Sequence, residues 1–202
     1  TAGSFTREIV PVEVPQKKGA PLIVTDDEEP NRVDLSRLRQ LKPVFQDDGV
    51  LTVGNSPSCN DGAAALVVMA EEEAHRLGLL PMARIVGYAG AALAPEWFTI
   101  APIEAIRRLL KQTGLVVSDI DLFEINEAFS VVSLAINREL GLDAKKVNVN
   151  GGAVALGHPI GATGARILTT LLHAMEARDA RRGLASLCIG GGEALALIVE
   201  RT

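Results

Sequence analysis

The 202-residue chain can hold one large domain, or one domain with part of another, and its 48% apolar side chains can build a sizeable core. Only 3% of residues are aromatic, which suits alanine-rich helices on a sheet better than an aromatic-rich β-sandwich. A net charge of −5 with no basic stripe argues against a nucleic-acid partner, and no apolar run reaches the roughly 18 residues of a membrane span.

The first 48 residues are irregular. "VPVEVPQKKGAP" is broken by prolines and can hold only short edge strands. "TDDEEPNR" is an acidic turn, and "DLSRLRQLKPVF" predicts a short helix capped near Asp34 and ended before Pro43. "DDGVLTVGN" reads as a turn into a strand. "NDGAAALVVMAEEEAHRLGL" reads as a helix capped by Asn60 or Asp61 and stopped by Gly78.

From about residue 82 the pattern is regular. "ARIVGYAGAAL" predicts a strand and "APIEAIRRLLKQTGL" an amphipathic helix. "DIDLFEI" predicts a strand, "NEAFSVVSLAINRELGL" a helix, and "KKVNVNGG" a further strand. "IGATGARILTTLLHAMEAR" predicts a helix with Ile167, Leu168, Leu171, Leu172 and Met175 on one face. "GLASLCI" and "EALALIVE", parted by glycines, close the chain as a hairpin. The order β-α-β-α-β-α-β-β argues for an α/β fold with a mostly parallel or mixed sheet covered by helices.

Loops at the carboxyl edge of such a sheet carry chemistry. Asn126-Glu127 follows "DLFEI", and Gly157-His158-Pro159 follows "KVNVN". Cys188 ends "GLASLCI", ahead of Gly190, Gly191 and Gly192. His158 can abstract a proton or donate to an oxyanion, although a lone histidine is more often a buried structural ring. Its flanking glycines let backbone approach a ligand, but "GHPIGATG" is neither Gly-x-Gly-x-x-Gly nor a P-loop. Cys188 could be a small hydrophobe, yet the glycines after it free N–H groups for an oxyanion hole. Asn126, in isolation, reads as a helix cap, a role compatible with holding a water. Cys59 precedes a predicted helix start, which can lower a thiol pKa, but no histidine or glycine adjoins it in sequence. His75 and His173 read as structural, and Glu71 to Glu73 as a solvated face. Two distant cysteines without a Cys/His cluster give no metal signal and fit a reducing, cytoplasmic compartment. "TAGSFTREIV" has no initiating Met and is no signal peptide. It reads as a chain entered partway, which leaves organelle targeting open.

Together, "NEAF" at Asn126 to Phe129, "GHPIGATGAR" at Gly157 to Arg166 and "CIGGG" at Cys188 to Gly192 resemble the three C-terminal motifs of the thiolase family. "GNSPSCNDGAAAL" resembles a further segment of that family. The resemblance covers the whole chain but only the second half of a thiolase of ordinary length. It implies a thiolase-like βαβαβαββ domain at residues 82–202. Residues 49–81 would be the last strand and helix of the N-terminal domain, and residues 1–48 the end of a loop domain.

The resemblance also implies roles. His158 activates a nucleophilic cysteine of the N-terminal domain, set in a Cys-small-small-Gly motif that these 202 residues lack. Cys188 moves the α-proton of a second acyl-CoA. His158 and a water on Asn126 hold the enolate oxygen, and the N–H of Gly190 helps hold the tetrahedral intermediate. Ala128, Phe129 and Phe45 would line the pantetheine tunnel, and Phe98 with Trp97 would approach the acyl group. The implied activity is that of an acetyl-CoA acetyltransferase. The alternatives are a longer-chain 3-ketoacyl-CoA thiolase of fatty-acid β-oxidation and a non-catalytic lipid or sterol carrier. This chain alone would be inactive. No permanently bound cofactor is implied; the coenzyme A thioester is substrate. The implied partners are the N-terminal thiolase domain and further copies in a homodimer or homotetramer. Three departures bear on acyl preference: Ala194 in place of a glycine, Pro57 in place of a serine, and the bulky Trp97-Phe98 pair.

Overall fold

The computed structural model describes residues 3–201. The proline-broken start holds the two expected short strands, β1 (Val12–Val14) and β2 (Leu22–Val24), paired antiparallel. A one-turn helix α1 (Glu29–Arg32) follows. The helix expected after Asp34 is 3-10 rather than α, at Leu35–Gln40, and Asp34 accepts from Ser36 N–H as its cap. No strand forms in "DDGVLTVGN"; Leu51 O accepts from Val44 N–H and Asn55 O from Ser130 N–H.

The next segment departs most from expectation. The helix predicted from Asn60 is confined to α2 (Glu71–Arg76), with Gly78 in a left-handed conformation just past its end. Residues 61–70 lie outside both sheets and all helices. Val67 and Val68 are β-branched and favour extended backbone. Ala64 and Leu66 turn inward while Ala63, Ala65 and Val67 turn out, the period-2 alternation of a strand rather than of a helix.

A four-stranded mixed sheet follows, in the order β3 (Arg84–Ala92), β6 (Glu193–Glu200), β5 (Arg182–Cys188), β4 (Leu122–Ile125). β3 and β5 each run antiparallel to β6, and β4 runs parallel to β5. The parallel pair needs a crossover, and α4 (Ser130–Leu140) with α6 (Thr163–Ala177) lies along it. The third expected strand, in "KKVNVNGG", is reduced to one bridge between Val147 and Phe123. Asn148 takes over its ladder: the side chain accepts from Ile125 N–H and donates to Ile125 O. With φ of +47°, Asn148 turns the chain away from the sheet.

Helices cover both faces. On one, α3 (Ala101–Thr113) and α4 bury Ile106, Leu109 and Ile136 against Phe123, Ile125 and Ile198. On the other, α6 buries Ile167, Leu171 and Met175 against Leu122, Ala185 and Val199. Truncating one of the isoleucine, leucine or methionine side chains among these to alanine costs about 2–5 kcal/mol. Alternation along β4 therefore puts Phe123 and Ile125 toward α3 and α4, and Leu122 and Glu124 toward α6. Glu124 is only 1% exposed, so this face buries a carboxyl.

Candidate active site

Asn126 extends the ladder beyond β4, its N–H donating to Ser186 O at 2.9 Å. That bond holds the residue, 1% exposed, at the carboxyl edge of the sheet. The helix-cap reading fails here. α4 begins at Ser130 with Phe129 in the cap position and no side-chain cap bond. The amide points instead to the imidazole: Asn126 Nδ2 lies 3.4 Å from His158 Nε2.

His158 follows a one-turn helix, α5 (Ala153–Leu156), and Gly157. Gly157 has φ of +97°, and a Cβ there would collide with the Asn60 side chain. This close approach lets residues 58–60 cradle the histidine. His158 N–H lies 3.1 Å from both Ser58 O and Asn60 Oδ1, and Cys59 forms a β-bridge with His158. Cys59 thus has a histidine beside it in space, although none adjoins it in sequence. The helix start expected after Cys59 does not form, so no helix dipole acts on its exposed thiol.

Hydrogen-bond accounting fixes the imidazole tautomer. Thr163 Oγ1 lies 2.7 Å from His158 Nδ1 and 3.0 Å from Pro159 O. A carbonyl only accepts, so the single hydroxyl proton of Thr163 goes to Pro159 O. The hydroxyl oxygen must then accept from His158 Nδ1–H. Nε2 is left with a lone pair and accepts from Asn126 Nδ2–H. Burial, and secondarily the Arg166 charge, hold the imidazole below its usual range, so it is neutral at neutral pH. Its free Nε2 can take a proton.

Cys188 is the last residue of β5 and pairs with Ala194 of β6, at the same sheet edge as Asn126. Burial pushes its thiol up, so it is a neutral thiol at neutral pH. The following glycines form the tight turn into β6. Gly192 has φ of +106°, and a Cβ would strike the Leu93 carbonyl. Gly190 is exposed, and its N–H has no partner among the described residues.

Phe45 and Phe129 meet edge to face at 5.9 Å between ring centroids. Ala128 and Phe129 also pack against the α3–α4 core. Phe98 is half-buried on the 3-10 helix Pro95–Ile100, whose first residue abuts Gly192. The structure therefore joins Asn126 to His158 and Phe45 to Phe129, and sets Cys188 and Gly190 on the shared edge. Sequence reasoning missed Thr163, Asn60 in its contact with His158, and the buried pair Glu124–Arg166. Thr163 was legible as a hydroxyl beginning a helix a few residues past a candidate base. Among the described residues, no cluster of His, Cys, Asp and Glu converges to hold a metal. No helix among them is long and apolar enough to cross a membrane.

The model of the thiolase C-terminal domain matches residues 79–201, and that of the thiolase N-terminal domain matches residues 1–72. The chain belongs to the thiolase family. Among its relatives, the acetyl-CoA acetyltransferase of Pseudomonas aeruginosa is 52% identical over 200 residues, covering 98% of this chain and 51% of the relative. The crystal structure of the Bacillus anthracis acetyl-CoA acetyltransferase superposes with a TM-score of 0.96 at 46% identity, covering 100% of this chain and 51% of that one. Human mitochondrial 3-ketoacyl-CoA thiolase in complex with CoA gives 0.89 at 41% identity, covering 100% of this chain and 50% of that thiolase. The chain thus spans about half the length of the curated relatives it matches.

Proposed function

We propose that this thiolase chain carries the proton-transfer and oxyanion side of an acetyl-CoA acetyltransferase site. The nucleophilic cysteine would come from the part of the relatives' length that the chain does not span. The carrying observation is the neutral His158, with Nδ1–H anchored on Thr163 and Nε2 open beside Asn126.

In the condensing direction, His158 Nε2 takes the proton of the nucleophilic thiol, and the thiolate attacks the acetyl-CoA carbonyl. The carbon–sulfur bond to CoA breaks, and the departing CoA thiolate takes the proton of neutral Cys188. That transfer supplies a thiolate base despite the buried, raised thiol. Cys188 then removes the α-proton of a second acetyl-CoA. The enolate oxygen rests on His158, now carrying Nε2–H, and on a water held by Asn126. Carbon–carbon bond formation gives a tetrahedral oxyanion held by Gly190 N–H. Its collapse yields acetoacetyl-CoA and frees the nucleophile, which recovers its proton from His158. Thiolysis is the reverse.

In this reading residues 82–202 form the catalytic C-terminal domain, residues 49–81 complete the N-terminal domain, and residues 1–48 close the loop domain. Ala128, Phe129 and Phe45 flank the pantetheine, and Phe98 limits the acyl end. The assembled enzyme is a cytoplasmic homodimer or homotetramer.

The test joins this chain to the part of the Pseudomonas aeruginosa relative that it does not span. Cys188→Ala should still acquire an acetyl group from acetyl-CoA, read by intact mass, because CoA can leave as its thiolate and be protonated by solvent, but it should not exchange acetyl-CoA methyl protons in heavy water. His158→Ala should impair both, by about 10²–10⁴-fold for the base role. Proton exchange at the wild-type rate in Cys188→Ala would make that cysteine a packing residue and sink the assignment. The same fusion assayed with longer 3-ketoacyl-CoA substrates distinguishes the two thiolase activities.

A further inference from the structure

Arg166 and Glu124 are ionisable side chains that no step above uses, and both are buried, with 19% and 2% of the side chain exposed. They stand 3.8 Å apart, too far for a hydrogen bond, and Arg166 Nη1 and Glu124 Oε1 are buried with no hydrogen-bond partner. Such a pair is a poor stabiliser, since the cost of burying the two groups outweighs so loose a contact. Its placement gives it another use. Glu124 lies two residues before Asn126 on β4, and Arg166 lies one helical turn after Thr163 on α6. The pair therefore bridges the strand that carries the amide and the helix that anchors the imidazole.

Further acids surround the guanidinium. Glu8 and Asp27 approach from the N-terminal segment and Glu127 from the loop after β4. Glu8 accepts from Thr170 of α6, and Glu127 accepts from Val154 N–H in the segment leading to His158. We propose that Arg166 is a positioning residue whose charge, seated among these acids, fixes His158 against Asn126 and keeps the imidazole a proton acceptor. After burial, Arg166 is the charged group that acts on His158. Burial holds Glu124 at about 8, so at neutral pH it faces Arg166 as a neutral carboxyl and does not itself cancel the cation. Removing the cation must raise the imidazole pKa.

The proposal uses the role given to His158 above, but its first test needs no activity. Titration of the three histidine rings of this chain by NMR should show the His158 midpoint move upward in Arg166→Gln and stay near wild type in Arg166→Lys. An unmoved His158 in folded Arg166→Gln would overturn the proposal, as would an equal shift in Arg166→Lys. Should Arg166→Gln not fold, Glu124→Gln decides, because it spares the cation. His158 should then stay at or below its wild-type midpoint, and a rise would refute the charge argument. In the fused enzyme, Arg166→Gln should lower kcat about 10–100-fold with KM changed less than about threefold, as expected of a displaced base. A loss carried by KM alone would count against positioning.

Discussion

Thr163 Oγ1 sits 2.7 Å from His158 Nδ1 while giving its own proton to Pro159, and this bond decides which imidazole nitrogen is free. Thr163→Val should therefore release the ring into a mixture of tautomers, seen as a change in its two ¹⁵N shifts, and Thr163→Ser should restore the single form. In the fused enzyme the valine variant should lose about tenfold or more in rate. An unchanged tautomer in Thr163→Val would mean that Asn126 alone sets the ring.

The two glycines beside Cys188 should respond oppositely to a methyl group. Gly192→Ala forces a left-handed φ and meets the Leu93 carbonyl, so it should lose about 2 kcal/mol or more of unfolding free energy. Gly190 has open space and no such φ, and Gly190→Ala should stay within about 0.5 kcal/mol. Urea midpoints at constant slope would test the contrast.

The main sheet, its helices and the closing hairpin were legible because each has a clean period and a terminator. Gly114 and Gly141, both left-handed, end α3 and α4 where the sequence places them. Two errors have separate causes. Asn148 looked like a strand residue, yet its amide completes the ladder that a strand would have made. Alanines and valines after Asn60 look helical in composition, and only burial alternation separates them from an extended run. For the site, glycine spacing and the family motifs pointed to His158, Asn126 and Cys188. Asn60 and Arg166 stayed hidden because their partners are distant in sequence, whereas the signal for Thr163, a hydroxyl at a helix start just past His158, was present and went unread.

Glu124 should make stability fall with rising pH. Burial raises its carboxyl in the fold to about 8 from the ordinary 4.5, so between those values the folded state holds a proton that the unfolded chain has released. Stability from this group is complete below the lower value and is lost as pH rises through the upper one. Burial lowers His158 and His173, which act the other way below the usual histidine range. Glu124→Gln keeps the neutral shape and cannot ionise. Its Tm relative to wild type should rise between pH 6 and pH 9 by roughly 3 °C or more. A constant difference across that range would place the ionised form in the native state.

The two thiols should separate by alkylation. Cys59 is exposed, whereas Cys188 is half-buried with its thiol pushed up by desolvation. Iodoacetamide at pH 7.5, followed by peptide mass mapping, should label Cys59 first and Cys188 several-fold more slowly. Raising the pH should speed labelling at Cys188. Equal rates at the two positions would contradict the burial of the Cys188 thiol.

The extended run at residues 61–69 has a practical consequence for handling the molecule. None of its backbone groups has a backbone partner among the described residues, and Val67 and Val68 within it are 88% and 70% exposed. Unpaired extended backbone flanked by β-branched side chains is a template for whatever strand arrives next, including the same run in another molecule. A lysine at position 67 would place a charge on that edge, far in sequence from His158. It is the first change to make when concentrated samples of this chain turn cloudy.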